Sequence, residues 1–282
     1  MVERRRFGNA FAYLVLSLGV FIIAFPVYLC LIGSTHEQSI IANGQMPIIP
    51  GRLFLETYYK TLFIGTSGTT REPVGRMLLN SFVMASAIAI GKIAISIISA
   101  YAVVYFKFPF RMVAFWLIFM TLMLPVEVRI YPTYKIAADL HLLDSYSGLA
   151  LPLIASATAT LFFRQFFMTI PDELIEASKL DGAGPLRFFK DTVLPLSRTN
   201  IAALFVILFI YGWNQYLWPL LITTRDDMQT IVIGIKKMIV TADALTEWTV
   251  VLATAMLAML PPVAVVVLMQ RWFVKGLVET EK

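Results

Sequence analysis

Long apolar blocks alternate with shorter polar stretches along the whole chain of 282 residues. The blocks lie at about 11–33, 77–105, 112–131, 146–167, 201–223 and 250–273, and uninterrupted runs such as 11–33 lack a polar face. Each therefore predicts a membrane-spanning helix rather than an amphipathic one. The second block is rich in small residues, among them Ala85, Ser86, Ala89 and Gly91, and the fourth is equally so from Ala155 to Thr160. Such residues let helix backbones approach closely. Pro125 falls near the far end of the third block, and Pro261-Pro262 is expected to interrupt the sixth. Residues 34–77 read as a polar loop with a GTSGTT run at 65–70, and 132–145 as another loop. Residues 224–249 read as a polar segment with a short apolar patch at 231–235. The pattern predicts an all-α polytopic membrane protein with six transmembrane helices and both termini on one side.

Composition excludes the alternative of one large soluble core. The chain is 59% hydrophobic and only 15% charged, where a soluble domain carries about 25% charged residues. The net charge of +5 sits at the ends of the apolar blocks and not on one solvated face, so no nucleic-acid partner is predicted. Glu3-Arg4-Arg5-Arg6 before an apolar run imitates a signal peptide, but the run is too long and no A-x-A pattern ends it. A retained first span follows. The lone Cys30 lies inside it, so there is no disulfide framework. Lysine and arginine are denser in the shorter segments that share a side with the N-terminus. This predicts that both termini and residues 168–200 face the cytoplasm.

The sequence offers no catalytic constellation. There is no G-x-x-x-x-G-K-[ST], so ATP is not bound through a P-loop, and Gly65-Thr66-Ser67-Gly68 lacks the lysine and the following helix. His36 and His141 lie far apart in loops, and no Cys/His cluster predicts a metal. No cofactor is predicted. The absence of an internal repeat argues against an ion-coupled carrier.

The ionisable residues in or near the apolar blocks are Lys92, Glu127 and Arg129. Lys92 is either a paired structural lysine or a charge that helps an anionic solute through, since lipid will not hold it. For Glu127 and Arg129, local pairing or snorkelling competes with solute contact. The segment Tyr211-Gly-Trp-Asn-Gln-Tyr-Leu-Trp-Pro219 is polar and aromatic inside a predicted span. Asn214, Gln215 and Trp218 there either line a path or form an interfacial belt. Gly212 and Pro219 would permit a kink. Lys92, Glu127, Arg129, Asn214, Gln215 and Trp218 together form the candidate translocation path.

The stretch 171–200, PDELIEASKLDGAGPLRFFKDTVLPLSRTN, is charged yet reads as ordered helix. Pro171 suits a first turn, and Asp172 and Glu173 suit the positive helix end. Gly182 and Gly184 stop that helix, and Pro185 starts a second short one with Leu186, Phe188 and Phe189. The stretch resembles the cytoplasmic motif of binding-protein-dependent ABC importer permeases, E-A-A-x-x-x-G-x9-I-x-L-P. Glu176-Ala177-Ser178 stand for E-A-A, Gly182 for the glycine and Leu194-Pro195 for L-P, with Ser178 and Thr192 as departures.

Segments 76–85, 122–134, 143–160, 162–183 and 211–221 are similar to the glycerol-3-phosphate branch of that family. The resemblance implies a type I ABC importer transmembrane domain in a bacterial inner membrane. It implies a coupling helix, with Glu176, Ala177, Ser178, Asp181, Gly182, Leu194 and Pro195, docked in a groove of an ATPase dimer. It further implies a second permease subunit, a periplasmic solute-binding protein, and import of glycerol-3-phosphate and, beside it, glycerophosphodiesters. A maltose-type sugar permease is the alternative within the family. The expected divisions are 1–75 (tail, first span and outer loop), 76–273 (transmembrane domain) and 274–282 (cytoplasmic tail).

Overall fold

The computed structural model describes residues 6–65, 72–121, 126–239 and 246–278. In chain order, α1 is Arg6–Gly33, α2 Gln38–Ala42, α3 Phe54–Tyr59, α4 Val74–Tyr105 and α5 Arg111–Met120. Then come α6 Val126–Asp139, α7 Tyr146–Ala150, α8 Ala157–Phe167, α9 Asp172–Leu180 and α10 Pro185–Phe188. The last are α11 Leu194–Leu196, α12 Arg198–Trp213, α13 Leu217–Ile222, α14 Ile231–Ile239 and α15 Trp248–Val278. No strand occurs among the described residues. Two compact units result, Met1–Arg76 with Gly234–Leu260 and Met77–Ile233 with Pro261–Lys282.

Among the described residues, three helices are long and apolar enough to cross a membrane: Phe11–Gly33, Val74–Tyr105 and Trp248–Trp272. Two bent pairs bring the number among those residues to as many as five, and part of the third expected span lies outside them. At 32 residues, α4 is about 48 Å long and exceeds the roughly 30 Å hydrocarbon layer. Along α1, side chains from Phe11 to Phe25 stand exposed, Ile23 at 75%. A helix apolar all round and bare of protein belongs in lipid. Pro261 and Pro262 lie inside α15, which runs through them where an interruption was expected.

Four further expectations meet the structure. The third block divides between α5 and the start of α6, and Pro125 lies outside the described residues, as does 66–70 of the GTSGTT run. The loop expected over 132–145 is helix as far as Asp139, with Pro132 inside it. The reason is a helical face: Ile130, Tyr134 and Ala137 recur at helical spacing and pack on the core. The fifth block breaks at Asn214, which caps α12. The tail expected over 274–282 is helical to Val278, and the rest lies outside the described residues.

In the first unit, the Gln38 side chain ties α2 to the start of α15. Its Nε2 donates to the Thr246 carbonyl at 2.6 Å, and its Oε1 accepts from the Thr249 amide and hydroxyl. Lys60 Nζ meets Glu247 Oε2 at 2.7 Å.

The second unit is built around Met84 and Ile88 of α4, Leu149 and Ala150 of α7, Trp218 and Ile222 of α13, and Met228. A buried asparagine joins these elements. Asn80 donates to the carbonyls of Asp227 and Gln229, each at 2.9 Å, and accepts from the Tyr146 hydroxyl at 2.7 Å. Such full satisfaction is what permits a buried amide.

Asp144 clamps the loop before α7 to the loop after α13. Its carboxylate accepts from the Thr224 amide and hydroxyl, each at 2.6 Å, and from the Arg225 amide at 2.9 Å. Slight burial raises its pKa, but these hydrogen bonds and the Arg225 charge outweigh that and hold it below the ordinary carboxylate value. The folded form therefore favours the ionised acid. Its stabilisation is complete above the unfolded value of about 3.9 and is lost as pH falls through the lower folded value. Asp144→Asn is expected to lower the melting temperature at pH 7, and the gap to wild type should close below about pH 4. Thermal unfolding in detergent across pH checks this; a gap unchanged down to pH 3 contradicts it.

Candidate functional site

Two places in the second unit gather the residues that the sequence singles out. The first is the stretch from α9 to α11. Asp172 and Glu173 occupy the first turn of α9, and Lys179 the last, each suited to the helix dipole. The helix ends in a paired closure: the Gly182 amide donates to the Lys179 carbonyl and the Ala183 amide to the Ser178 carbonyl, both at 3.0 Å. This closure needs a left-handed residue, and Gly182 supplies it with φ of +69°. A Cβ built there would meet nothing of this chain within 4 Å. The space beside Gly182 is thus open to a partner.

No residue of α9 is buried. Glu176, Ala177, Asp181 and Gly182 are exposed, while Ser178 and Pro195 are half-buried. Leu180 is 89% and Leu186 83% exposed, although both are apolar. The opposite face of α9 turns to its own chain. Ile175 and Ser178 line a cleft of about 460 Å³ with Tyr101, Tyr105, Pro185 and Phe188. Small Ser178 is thus explained by close packing within the chain.

The rest of the stretch is held to the end of α4 by aromatic rings. Phe188 is 6% exposed and meets Tyr105 edge-on at 5.4 Å. Tyr101 lies 4.8 Å from Phe189, and its hydroxyl donates to the Pro185 carbonyl at 2.7 Å. The Tyr105 hydroxyl reaches the Phe167 carbonyl at 3.3 Å, at the end of α8. After α10 the chain takes one wide turn over Phe189–Val193, then α11, where Leu194 is exposed. The pair Pro185–Leu196 and Arg198–Trp213 is bent by 69°. The sequence reading missed Tyr101 and Tyr105; their four-residue spacing at a span's end was the available signal.

The second place is a cavity of about 550 Å³ lined by α4, α5, α6, α8 and α12. Lys92 and Arg129 both line it, with Ser99, Thr121, Ser156, Thr158 and Tyr211. Lys92 is 7% exposed and sits near the middle of α4. Its Nζ lies 3.9 Å from the centre of the Tyr211 ring. Among the described residues, neither Lys92 nor Arg129 has a carboxylate partner. A cation–π contact contributes about 0.5–2 kcal/mol, less than the roughly 2.5–3.5 kcal/mol that a mid-span lysine costs. Among the described residues the site is therefore short of negative charge.

The backbone beside Lys92 is shaped by a close approach. Residues Tyr146–Leu153 and Ala157–Phe167 form a span bent by 51°. Ile154, at the break, presses on Gly91, where a Cβ would come within 2.6 Å of the Ile154 Cγ2. Ser156 then caps α8, its hydroxyl accepting from the Ala159 amide at 3.3 Å. The first turn of α8 lines the cavity through Ala157 and Thr158. Amides in that turn have no acceptor inside the helix.

The other predicted path residues lie elsewhere. Trp218 is 3% exposed in the core, and its Nε1 donates to the Gly148 carbonyl at 3.0 Å. The ring is a structural post for α7 and does not line this cavity. Asn214 is an exposed cap, and Gln215 Nε2 donates back to the Tyr211 carbonyl at 3.3 Å. Neither lines the cavity; Tyr211 of the same segment does. The Glu127 side chain lies outside what the structure describes.

Comparison with known proteins gives a consistent picture. Residues 92–279 match the family described as binding-protein-dependent transport system inner membrane component. The chain is 57% identical to the sn-glycerol-3-phosphate transport system permease protein UgpE of Rhizobium meliloti (strain 1021), over 100% of both chains. It is 58% identical to the protein of that name from Agrobacterium fabrum and 57% to that of Yersinia pestis bv. Antiqua, again over 100% of both. Its fold is similar to a bacterial ABC transporter involved in the import of the acidic polysaccharide alginate. There the TM-score is 0.81 with 18% identity, over 97% of this chain and 99% of that one.

Proposed function

For a chain that belongs to the inner membrane components of binding-protein-dependent transport systems, we propose the role of a permease subunit importing glycerol-3-phosphate. The observation that carries the solute is full-length likeness to permeases named for that solute. A maltose-type sugar permease is not favoured by it. The chain is a transport subunit and not an enzyme, and ATP hydrolysis falls to a separate subunit.

The stretch α9–α11 is the surface for that ATPase. Exposed Leu180 and Leu186 supply an apolar centre, and Asp172, Glu173, Glu176 and Asp181 a polar rim. Gly182 leaves room where the partner closes in. A second permease subunit completes the pathway, and a periplasmic binding protein delivers the solute. Both termini and residues 168–200 face the cytoplasm, a reading supported by the lysine and arginine distribution. ATPase closure would push α9 and α10 and move α4, α8 and α12, whose ends they adjoin.

Uptake of labelled glycerol-3-phosphate into membrane vesicles tests this. Vesicles with the complete transporter should accumulate solute, and vesicles lacking the ATPase should not. Uptake that persists without the ATPase would sink the importer reading in favour of a channel or carrier.

A further inference from the structure

We propose that the Lys92 cavity holds the phosphate group of the solute in transit, so that this subunit carries its own phosphomonoester subsite. The inference rests on the glycerol-3-phosphate reading above and adds the residues that do the holding. Three independent features converge on one cavity. Lys92 is more than nine-tenths buried, lines the cavity, and has no carboxylate partner among the described residues. Arg129 lines the same cavity and also has no such partner among them. The first turn of α8 lines it as well, at a break in an apolar span. A helix start at such a break places its positive end where an anionic group can reach it.

The chemistry selects a compact oxyanion with several acceptor oxygens. Guanidinium and ammonium groups supply up to two charges, which match a phosphomonoester dianion better than a neutral sugar. Ser99, Thr121 and Thr158 hydroxyls line the same space and suit the remaining oxygens or the glycerol hydroxyls. The Tyr211 ring holds the ammonium from one side without neutralising it.

The position of the cavity also gives it a line to the ATPase surface. The helix that starts there, α8, ends at Phe167, where its carbonyl accepts from Tyr105. The helix that carries Lys92 bears Tyr101 and Tyr105 at its far end, against Pro185 and Phe188. A phosphate bridging Lys92 and the α8 start would link the two helices that meet the coupling stretch.

The test uses the complete transporter in proteoliposomes, with ATP inside and labelled glycerol-3-phosphate with its binding protein outside. Lys92→Met and Arg129→Gln should each lower uptake about tenfold or more. Lys92→Arg and Arg129→Lys should restore most of it, which separates lost charge from lost folding. The losses should be equal in phosphatidylcholine bilayers and in bilayers that also contain phosphatidylglycerol. Wild-type uptake matched within about twofold by both neutral variants overturns the subsite. A loss confined to the phosphatidylglycerol bilayers assigns the cavity to lipid headgroups and overturns it too. A loss that the charge-conserving variants do not relieve makes both residues packing elements. Wild-type transporter that assembles yet takes up no glycerol-3-phosphate fails differently: it removes the solute reading itself.

Discussion

Charge reversal at Glu176 should leave the protein in the membrane and strip it of the proposed ATPase partner. Glu176 is exposed on α9 and sits between the bare Leu180 and the acidic first turn. Its replacement by lysine costs the fold little, because a lysine is as good a helix former. At a docked interface the same change sets like charge where a complement is expected, a cost of about 2–5 kcal/mol. Recovery of the ATPase in a pull-down from detergent should fall about thirtyfold or more, and uptake should fall with it. Gly182→Val should act alongside it by another route. It forces a branched side chain into a left-handed backbone, at about 1–2 kcal/mol, and fills the open space beside the glycine. Normal recovery together with normal uptake in both variants would remove α9 from the docking surface.

The contrast between what the sequence yields and what it withholds follows from range. The long helices α1, α4 and α15 were legible because lipid demands about twenty apolar residues in a row whatever the neighbours are. The stop at Gly182 was legible because a left-handed closure favours glycine strongly. Lys92 and Arg129 were legible as odd charges, and the structure brings them into one cavity.

What the sequence withholds depends on tertiary partners. Trp218 looks like a path residue by type, yet the Gly148 carbonyl claims its N–H and the core claims its ring. Pro132 looks like a loop residue, yet Ile130, Tyr134 and Ala137 bury a helical face around it. The role of Tyr211 is likewise set by Lys92 on α4, which no periodicity within α12 records. The bend at residues 154–156 follows the same rule, because it needs the bare Gly91 on another helix.

Phe188→Ala should produce the opposite failure from Glu176→Lys. The ring is buried on the inner side of the α9–α11 stretch, packed against Tyr105 and Tyr101. Truncation opens a cavity there, at about 3–5 kcal/mol, while Leu180, Leu186 and the acidic rim on the outer side stay as they are. The ATPase should therefore still be recovered in the pull-down. What is lost is the rigid path into α4, because the Tyr101 hydrogen bond to Pro185 and the Tyr101 ring contact with Phe189 remain without the buried ring between them. Solute-loaded binding protein should then fail to stimulate ATP hydrolysis, and uptake should drop about tenfold or more, as expected when a packed element that transmits a two-state change is loosened. Phe188→Leu, which refills most of the space, should recover a large part of both signals. If Phe188→Ala instead loses the ATPase as Glu176→Lys does, the aromatic staple serves to present the docking surface. Stimulation unchanged in Phe188→Ala would show that the push reaches the membrane helices by way of α8 or α12 and not through the end of α4.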